Sequence, residues 1–587
     1  MNQLLRKNQL VYLYFILFVS FSNYACKTNK ADNIINTEEL SDEEFNKQLK
    51  DLLKSEIQNL NPIVVDSLKF RSWQDVAQQA YKEINFHPIW VSKNVLSNSG
   101  QELYNFINEA EYYALLKEKY NFKEIKVLHD SLQKSQPVIN FELIKTLEIK
   151  LTAAFFNIAL HIDNGIYNEE KKKVNDNFWS VKEKYITHFT EVFAGTALKT
   201  ELEKLEPQHL IYKRYKSAIY KYVSKINIFP NVIRIRDYKQ DSIGAIHDAR
   251  IALKYHHYLH DTLMQNDTAY ILALKQFQRD NGYKDDAVLG SMTARALERD
   301  NSQKFKLLVI NADRWRANKS KLNNHDKYVW VNLPSYKIRV IQQDTIVIEK
   351  NVVIGKANSK NATPNIISAI DKIILWPTWS VPQSIIKNEM KSFKGYKVTK
   401  TGNSLRVVQP PGPRNALGAV KILFPNKHSI YIHDTPTKYL FNSDYRSHSH
   451  GCVRCQDPLE VASALMQLDT FRFDYDSLIR IKDKKIATRQ FTLKNPIPVY
   501  LQYFTAEADW NGKLRFYPDI YKKDETMIDV LFNNAIYKDE PKEQKKDTIK
   551  PIVINKTATI LKDTLPTIIS EPEMPIKNIS DSSIKIE

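Results

Sequence analysis

Between His433 and Cys455 the chain gathers three histidines, His433, His448 and His450, and the two cysteines that follow Cys26, Cys452 and Cys455. A cysteine with its free pKa of about 8.5 is only a few per cent thiolate near neutral pH, so it works as a nucleophile when an imidazole takes its proton. His433 precedes Cys452 by nineteen residues and ends the run Ser429-Ile430-Tyr431-Ile432-His433. That run reads as a strand, so base and thiol meet only through folding. Asp434, Pro436 and the polar stretch 442–449 supply the turns between them. Gly451 removes a side chain just before Cys452, where backbone must come close and amide N–H groups can aim at a developing oxyanion. This is an arrangement for acyl transfer. The pair Cys452-Val453-Arg454-Cys455 is also a C-x-x-C with histidines beside it, which reads as a metal or redox site and stays open here. His448 and His450 read as turn residues rather than bases.

The order is more specific than its ingredients. His433, then fifteen residues, then Ser449-His450-Gly451-Cys452-Val453-Arg454 resembles the signature of the L,D-transpeptidase catalytic domain. The resemblance implies that Cys452 is the nucleophile and His433 the general base, its ring oriented by the Asp434 carbonyl. It also implies an oxyanion hole in the turn of His450, Gly451 and Cys452, with Ser449 and Arg454 orienting that turn or a substrate carboxylate. The substrates so implied are peptidoglycan stem peptides, cross-linked through a cysteine acyl-enzyme without metal or cofactor. Resolution by water would make the enzyme a carboxypeptidase, and no residue separates the two outcomes. A wall-binding protein with a dead site is the third reading, and the presence of every residue type the chemistry needs speaks against it. Cys455 stands where the resembling enzymes carry an aliphatic residue. It reads either as core or as a second thiol that traps oxidised Cys452 in a disulfide.

The elements that must position these residues extend far on either side. At 587 residues the chain is too long for one core, and ~100–200 residues per domain implies three or more units plus tails. The net charge of +18 comes from basic residues scattered along the whole chain without a zinc finger or arginine-rich array, so the expected partner is an anionic wall or membrane surface and not nucleic acid. Residues 1–26 read as an export signal: Arg6 and Lys7, an apolar run Leu10 to Val19, then Ser20, Ser22 and Ala25 before Cys26. Ten apolar residues do not span a bilayer. Cys26 after Ala25 resembles the lipidated cysteine of bacterial lipoproteins, with Asn23 standing where that motif prefers an aliphatic residue. The resemblance implies a membrane-anchored protein facing the periplasm. Two thiols then remain in the mature chain, which excludes a disulfide framework.

The expected architecture is multidomain α+β: a helical scaffold domain, a small helical peptidoglycan-binding domain and a mostly β catalytic domain. Residues 27–62 read as a tether with a helix near Ser41 to Asn59, where Ser41 and Glu44 offer a capping box. Residues 63–260 read as the helical scaffold, from spacings such as Ile144, Leu147, Leu151, Phe155 and Ile158. The stretch Ala80 to Trp90 resembles the opening of the scaffold domain in large L,D-transpeptidases, its aromatics reading as core. Residues 261–300 pair two helices around Gly282 and Gly290 and resemble the peptidoglycan-binding domain, which implies Phe277, Gln278 and Gly290 as its marker residues. Ala287 and Ser291 depart from that family's loop, which leaves a packing spacer as the other reading. Residues 301–327 read as a linking helix with Leu308, Ala312 and Trp315 on one face, and residues 328–525 as the catalytic domain. In the latter, Lys387 to Arg406 reads as a short lid over an open cleft. The strand Pro496 to Phe504 and the segment Lys513 to Tyr521 read as closing strands around an Asn511-Gly512 turn. The Lys, Thr and Pro-rich stretch 538–587 lacks periodicity and reads as a disordered tail.

Overall fold

The structure, a computed structural model, describes residues 40–59, 73–169, 182–262, 267–358, 360–402, 404–469, 474–484 and 486–532, with two short strands at Ile35–Asn36 and Lys173–Val174. The export signal, Cys26 and the 538–587 tail lie outside the described residues.

Helix α1 (Asp42–Gln58) starts where the capping box places it: the Ser41 hydroxyl accepts from the Glu44 amide at 3.2 Å, and the Glu44 carboxylate accepts from the Ser41 amide at 3.3 Å. Phe45, Leu49, Leu53 and Ile57 recur every four residues and are all buried in the scaffold core. This part of the expected tether is therefore a wall of the scaffold, because a four-residue apolar stripe has to be covered. Helices α2 (Trp73–Glu83) and α3 (Phe141–Asn164) carry that core, with Tyr81, Trp90 and Phe155 inside it. One buried carboxylate organises their crossing. Glu148 accepts from the amides of Ile89, Trp90 and Val91 at 2.7, 3.0 and 2.9 Å and from the Tyr81 hydroxyl at 2.7 Å. Helix α4 (Leu210–Val223) lies further on, against the catalytic side.

The boundary expected at 260 falls elsewhere. Helix α5 (Ser242–Tyr255), assigned by the sequence to the scaffold, buries Ala245, Ala249 and Leu253 against Leu274 and Phe277 of α6 (Asp267–Asp280) and Leu297 of α7 (Ser291–Leu297). The small unit is thus three helices, since α6 and α7 alone have too little surface to hide their apolar faces. The linking helix α8 (Asn301–Ala317) is nearly all buried. Its Asp313 accepts from the Ile166 and Tyr167 amides, and its Arg314 pairs with Glu169 at 2.6 Å and Asp524 at 2.8 Å. Trp315 stacks on Trp330 with ring centroids 5.6 Å apart. Scaffold and catalytic sheet are therefore tied through α8 and also through α4, whose Arg214 pairs with Asp344 at 2.6 Å.

The catalytic sheet runs β1 (Lys327–Asn332), β2 (Lys337–Gln342), β3 (Thr345–Gly355), β4 (Ile366–Leu375), β8 (Val420–Leu423), β9 (Ile432–His433), β10 (Ser447–Ser449), β11 (Val453–Cys455) and β12 (Arg489–Gln502). The strand order is β10-β3-β11-β9-β8-β4-β12-β1-β2, and β2 pairs again with β3, which closes the sheet into a barrel. Residues 345–355 run as one strand, paired with β2 along its first part and with β11 and β10 at its end. Helix α10 (Pro458–Asp469) plugs the barrel core with Val461, Leu465 and Met466. Between β4 and β8 lie β5 (Trp379–Ser380), α9 (Gln383–Asn388), β6 (Lys397–Thr401) and β7 (Ser404–Gln409). They form a three-stranded cap with its own core of Val381, Ile386 and Val407, so the short lid is a folded one. The Asn511-Gly512 turn joins β13 (Ala506–Ala508) to β14 (Leu514–Phe516). The 496–504 segment does not close on that turn; β12 is a strand of the barrel wall, paired between β1 and β4. Helix α11 (Asp524–Phe532) ends the described chain.

Candidate active site

Three short strands build the site by register. Lys421 on β8 is paired with His433 on β9, and His433 with Arg454 on β11, so the three side chains share one face. Alternation then puts Tyr431, two before His433, and Cys452, two before Arg454, on that same face. All five line one cavity of about 810 Å³, roofed by Trp379 and Glu389 from the cap. The sequence-separated thiol and imidazole are thus brought together.

His433 is buried, and its Nδ1–H donates to the Asp434 carbonyl at 2.5 Å. That bond fixes the tautomer and leaves Nε2 as the lone pair. Burial, with the Arg454 charge behind it, pushes the imidazole down to about 3. The Cys452 thiol is pushed up by burial, a shift opposed by hydrogen bonding from Tyr431 and by the Lys421 and Arg454 charges. Neutral thiol and neutral imidazole are the resting state these shifts favour.

Asp434 does more than offer a carbonyl. Its carboxylate accepts from the amides of Ala419 at 2.9 Å and Thr435 at 2.7 Å and from Lys438 Nζ, which pins the loop after β9. Gly418 makes room for it. At φ +61° and with an added Cβ only 2.4 Å from Asp434 Cγ, no side chain fits there.

The turn before Cys452 departs from expectation in one respect. The Gly451 amide donates to Ser449 Oγ at 3.1 Å and Ser449 Oγ donates to the Cys452 carbonyl at 2.5 Å. Gly451 N–H is therefore used inside the turn and is not an oxyanion donor. The amide of Cys452 itself donates to no other group among the described residues. Gly451 is needed for its φ of +113° and for the Ile430 methyl, 3.0 Å from where a Cβ would stand. Behind the turn, Thr363 Oγ1 donates to the Gly451 carbonyl at 2.8 Å and accepts from the Gly355 amide at 2.9 Å. His450 leaves the turn outward, its Nε2 2.6 Å from Glu389 Oε1 on the cap, and His448 Nε2 lies 3.0 Å from the Tyr445 carbonyl. Arg454 keeps its Nε buried and unpartnered among the described residues, on the cavity wall.

The two cysteines are on opposite sides of β11. Cys455 is fully buried in the barrel core, its Sγ 3.2 Å from the Gln456 carbonyl, and burial pushes its thiol up. Both are free thiols. The disulfide trap and the C-x-x-C metal site both fail on this geometry, because a strand turns positions 452 and 455 to opposite faces. Of the peptidoglycan-binding residues, Phe277 and Gln278 are buried. Gln278 bonds to Asp286, Val288 and Ala287 and shapes the loop, while Gly290 caps α7; neither Phe277 nor Gln278 can touch a ligand.

Sequence reasoning missed Tyr431, Lys421, Thr363 and Glu389. Tyr431 had a usable signal, standing two before His433 in the same strand. The others reach the site from distant segments.

Residues 326–481 match the L,D-transpeptidase catalytic domain, and residues 75–219 match the Scaffold domain. A curated Haemophilus influenzae protein named for L,D-transpeptidase activity is 29% identical over 245 residues, 37% of this chain and 48% of the relative, so the chain spans about half of that relative's length. Among solved structures, an L,D-transpeptidase from Stackebrandtia nassauensis is 14% identical over 47% of this chain and 96% of its own, with a TM-score of 0.20. A mutant L,D-transpeptidase from Enterococcus faecium is 12% identical over 30% of this chain and 50% of its own, with a TM-score of 0.15. The His433-to-Arg454 signature lies inside the catalytic-domain match and the scaffold match precedes it, so the chain carries an L,D-transpeptidase catalytic domain together with a Scaffold domain.

Proposed function

We propose that the protein cross-links peptidoglycan by a two-step acyl transfer at Cys452. His433 Nε2 takes the Cys452 proton as sulfur attacks the carbonyl that joins a stem peptide's diamino acid to its terminal D-alanine. The developing oxyanion is received by the Cys452 amide, the N–H left unused in the turn. Collapse returns the proton from the imidazolium to the leaving D-alanine amine and leaves a thioester on Cys452. The amine of a second stem then attacks, His433 accepting its proton and returning it to the departing thiolate. Lys421 and Arg454, both cations on the cavity face, suit the carboxylates of the stem.

The observation that supports this most is the hydrogen bond from His433 to the Asp434 carbonyl, within the same cavity wall as Cys452. A histidine held in this tautomer, and too weakly basic to be protonated at neutral pH, is a base available to a thiol. The test is mass spectrometry of peptidoglycan fragments after incubation with the protein. Cys452→Ala should abolish cross-links and the acyl-enzyme while retaining the fold, and His433→Ala should lower the rate by about 10²–10⁴. Cross-linking by folded Cys452→Ala would sink the proposal; a mild His433→Ala beside a dead His450→Ala would move the base to His450. Products shortened by one D-alanine without new cross-links would make it a carboxypeptidase. The export and anchoring reading is proposed with it, on the sequence of residues 1–26, and acyl-chain labelling that survives Cys26→Ser would refute it. Among the described residues no helix is long and apolar enough to cross a membrane.

A further inference from the structure

A second cavity, of about 680 Å³, opens where α4, the three-helix unit and the β13–β14 hairpin meet. It shares no lining residue with the catalytic cavity. Its wall holds Lys304 of α8, a lysine only 7% exposed. Lys304 makes no ion pair among the described residues; its Nζ donates to His256 Nδ1 at 2.8 Å, while His256 Nε2–H donates to the Leu297 carbonyl at 2.8 Å. Asp300, a carboxylate whose charge acts on Lys304, is engaged elsewhere, accepting from the Asn231 and Gln303 amides. Nζ also lies over the Phe516 ring, 5.7 Å from its centroid, so one of its three donors is spent on His256 and the others face an aromatic ring and the cavity with no carboxylate among the described residues. A buried cation without a counter-charge is unfavourable, and burial accordingly pushes Lys304 down to about 7.

The rest of the lining agrees. It contains no aspartate or glutamate. Lys221 and Lys225 stand exposed at the rim without an ion pair among the described residues, whereas Lys513 is already tied to Asp280. Tyr222 and Tyr258 line the same space; the Lys513 ammonium already lies over the Tyr258 ring, 5.6 Å from its centroid, which leaves Tyr222 as the ring on which the C–H face of a sugar can lie.

We propose that this junction cleft is a second ligand site, which takes a carboxylate-bearing glycopeptide with its carboxylates on Lys304, Lys221 and Lys225 and its sugar against Tyr222. That the ligand is an anion follows from the lining; that it is a wall fragment rests on the proposed function above. The cleft would hold a strand away from the chemistry, and it replaces Phe277 and Gln278 as the place where the small unit meets the wall.

The test is calorimetric titration of the full chain carrying Cys452→Ala, which prevents turnover, with a disaccharide-tetrapeptide. Two sites per chain are expected. Lys304→Met should weaken one of them at least tenfold, as should the exposed pair Lys221→Glu with Lys225→Glu, which leaves the packing untouched and keeps the test meaningful if Lys304→Met misfolds. Converting the fragment's carboxylates to amides should have the same effect. In chains that retain Cys452, these lysine variants should be acylated by a β-lactam as fast as the parent. One site in the parent, unchanged binding in both lysine variants, or equal binding of the amidated fragment overturns the proposal. Binding of a phosphorylated saccharide at the cleft with none of the glycopeptide overturns the ligand class. Failure of the catalytic reading looks different: no acylation of Cys452, with the lysine-dependent site intact.

Discussion

Replacing Gly418 by alanine should damage catalysis without touching a residue that meets substrate. Gly418 sits at φ +61°, where an L side chain costs about 1–2 kcal/mol. Its new methyl would stand 2.4 Å from Asp434 Cγ and 2.5 Å from Asp434 Cβ, an overlap that displaced packing relieves at a cost of about 1–3 kcal/mol. Together the loss is about 2–5 kcal/mol, a drop in Tm of roughly 5–15 °C for a domain of this size. Asp434 cannot yield freely, because its carboxylate holds Ala419, Thr435 and Lys438 and its carbonyl holds His433. Displacing it by about 1 Å tilts the base, and such a misplacement lowers the rate on the order of 10²-fold. The assay is thermal unfolding beside the rate of Cys452 acylation followed by intact mass. Gly395→Ala is the control: its φ is +84°, but nothing lies within 4 Å of the added carbon, so only the backbone strain applies. If Gly418→Ala acylates as fast as Gly395→Ala, the claim that Asp434 positions His433 is wrong.

The pH profile of kcat/KM should show no acid limb near the ordinary histidine value of about 6.5. The imidazole is held down to about 3 and so remains an unprotonated base as pH falls through that range, while the raised thiol keeps its proton until above its ordinary value. An inflection between pH 6 and 7 that disappears in His433→Gln would refute the neutral resting pair. Cys455→Ala should lower stability by about 1 kcal/mol through a small cavity in the barrel core, measured by urea unfolding. It should also leave recovery from mild peroxide unchanged, and a reductant-dependent difference from the parent would restore the redox guard. Glu148→Leu strands the three amides it now serves, while the Tyr81 hydroxyl keeps Thr152 Oγ1 at 2.9 Å, so the scaffold should lose about 3 kcal/mol or more. Unfolding that matches the parent would show that those donors find water instead.

The candidate site was legible because the proposed nucleophile, its turn and the proposed base are specified locally. Ser449 to Arg454 is one short segment, and His433 closes an apolar run that can only be a strand. The long helices were equally legible, since a 3.6-residue period is a property of the segment that bears it, and the Ser41–Glu44 box marks the start of α1 within four residues. What those segments pack against was not. Whether α1 is a tether or a wall depends on what covers Phe45 and Leu49, and whether α5 belongs to the scaffold or the small unit depends on Leu274, Phe277 and Leu297 lying against it. Phe277 and Gln278 carry the look of a binding motif, yet burial made them core.

Sequence by itself determined which residues could react and which segments would be helix or strand, because spacing and side-chain type act over a few residues. Only the tertiary structure decided which face each residue occupies. The registers Lys421–His433 and His433–Arg454 set Cys452 facing the cavity and Cys455 facing the core, and no local rule fixes a pairing between strands so far apart in the chain. Likewise Gly418 became indispensable through Asp434, sixteen residues on, and Lys304 lost its solvent where three units converge. Burial and long-range pairing depend on every segment at once, so they become definite only when the chain closes on itself.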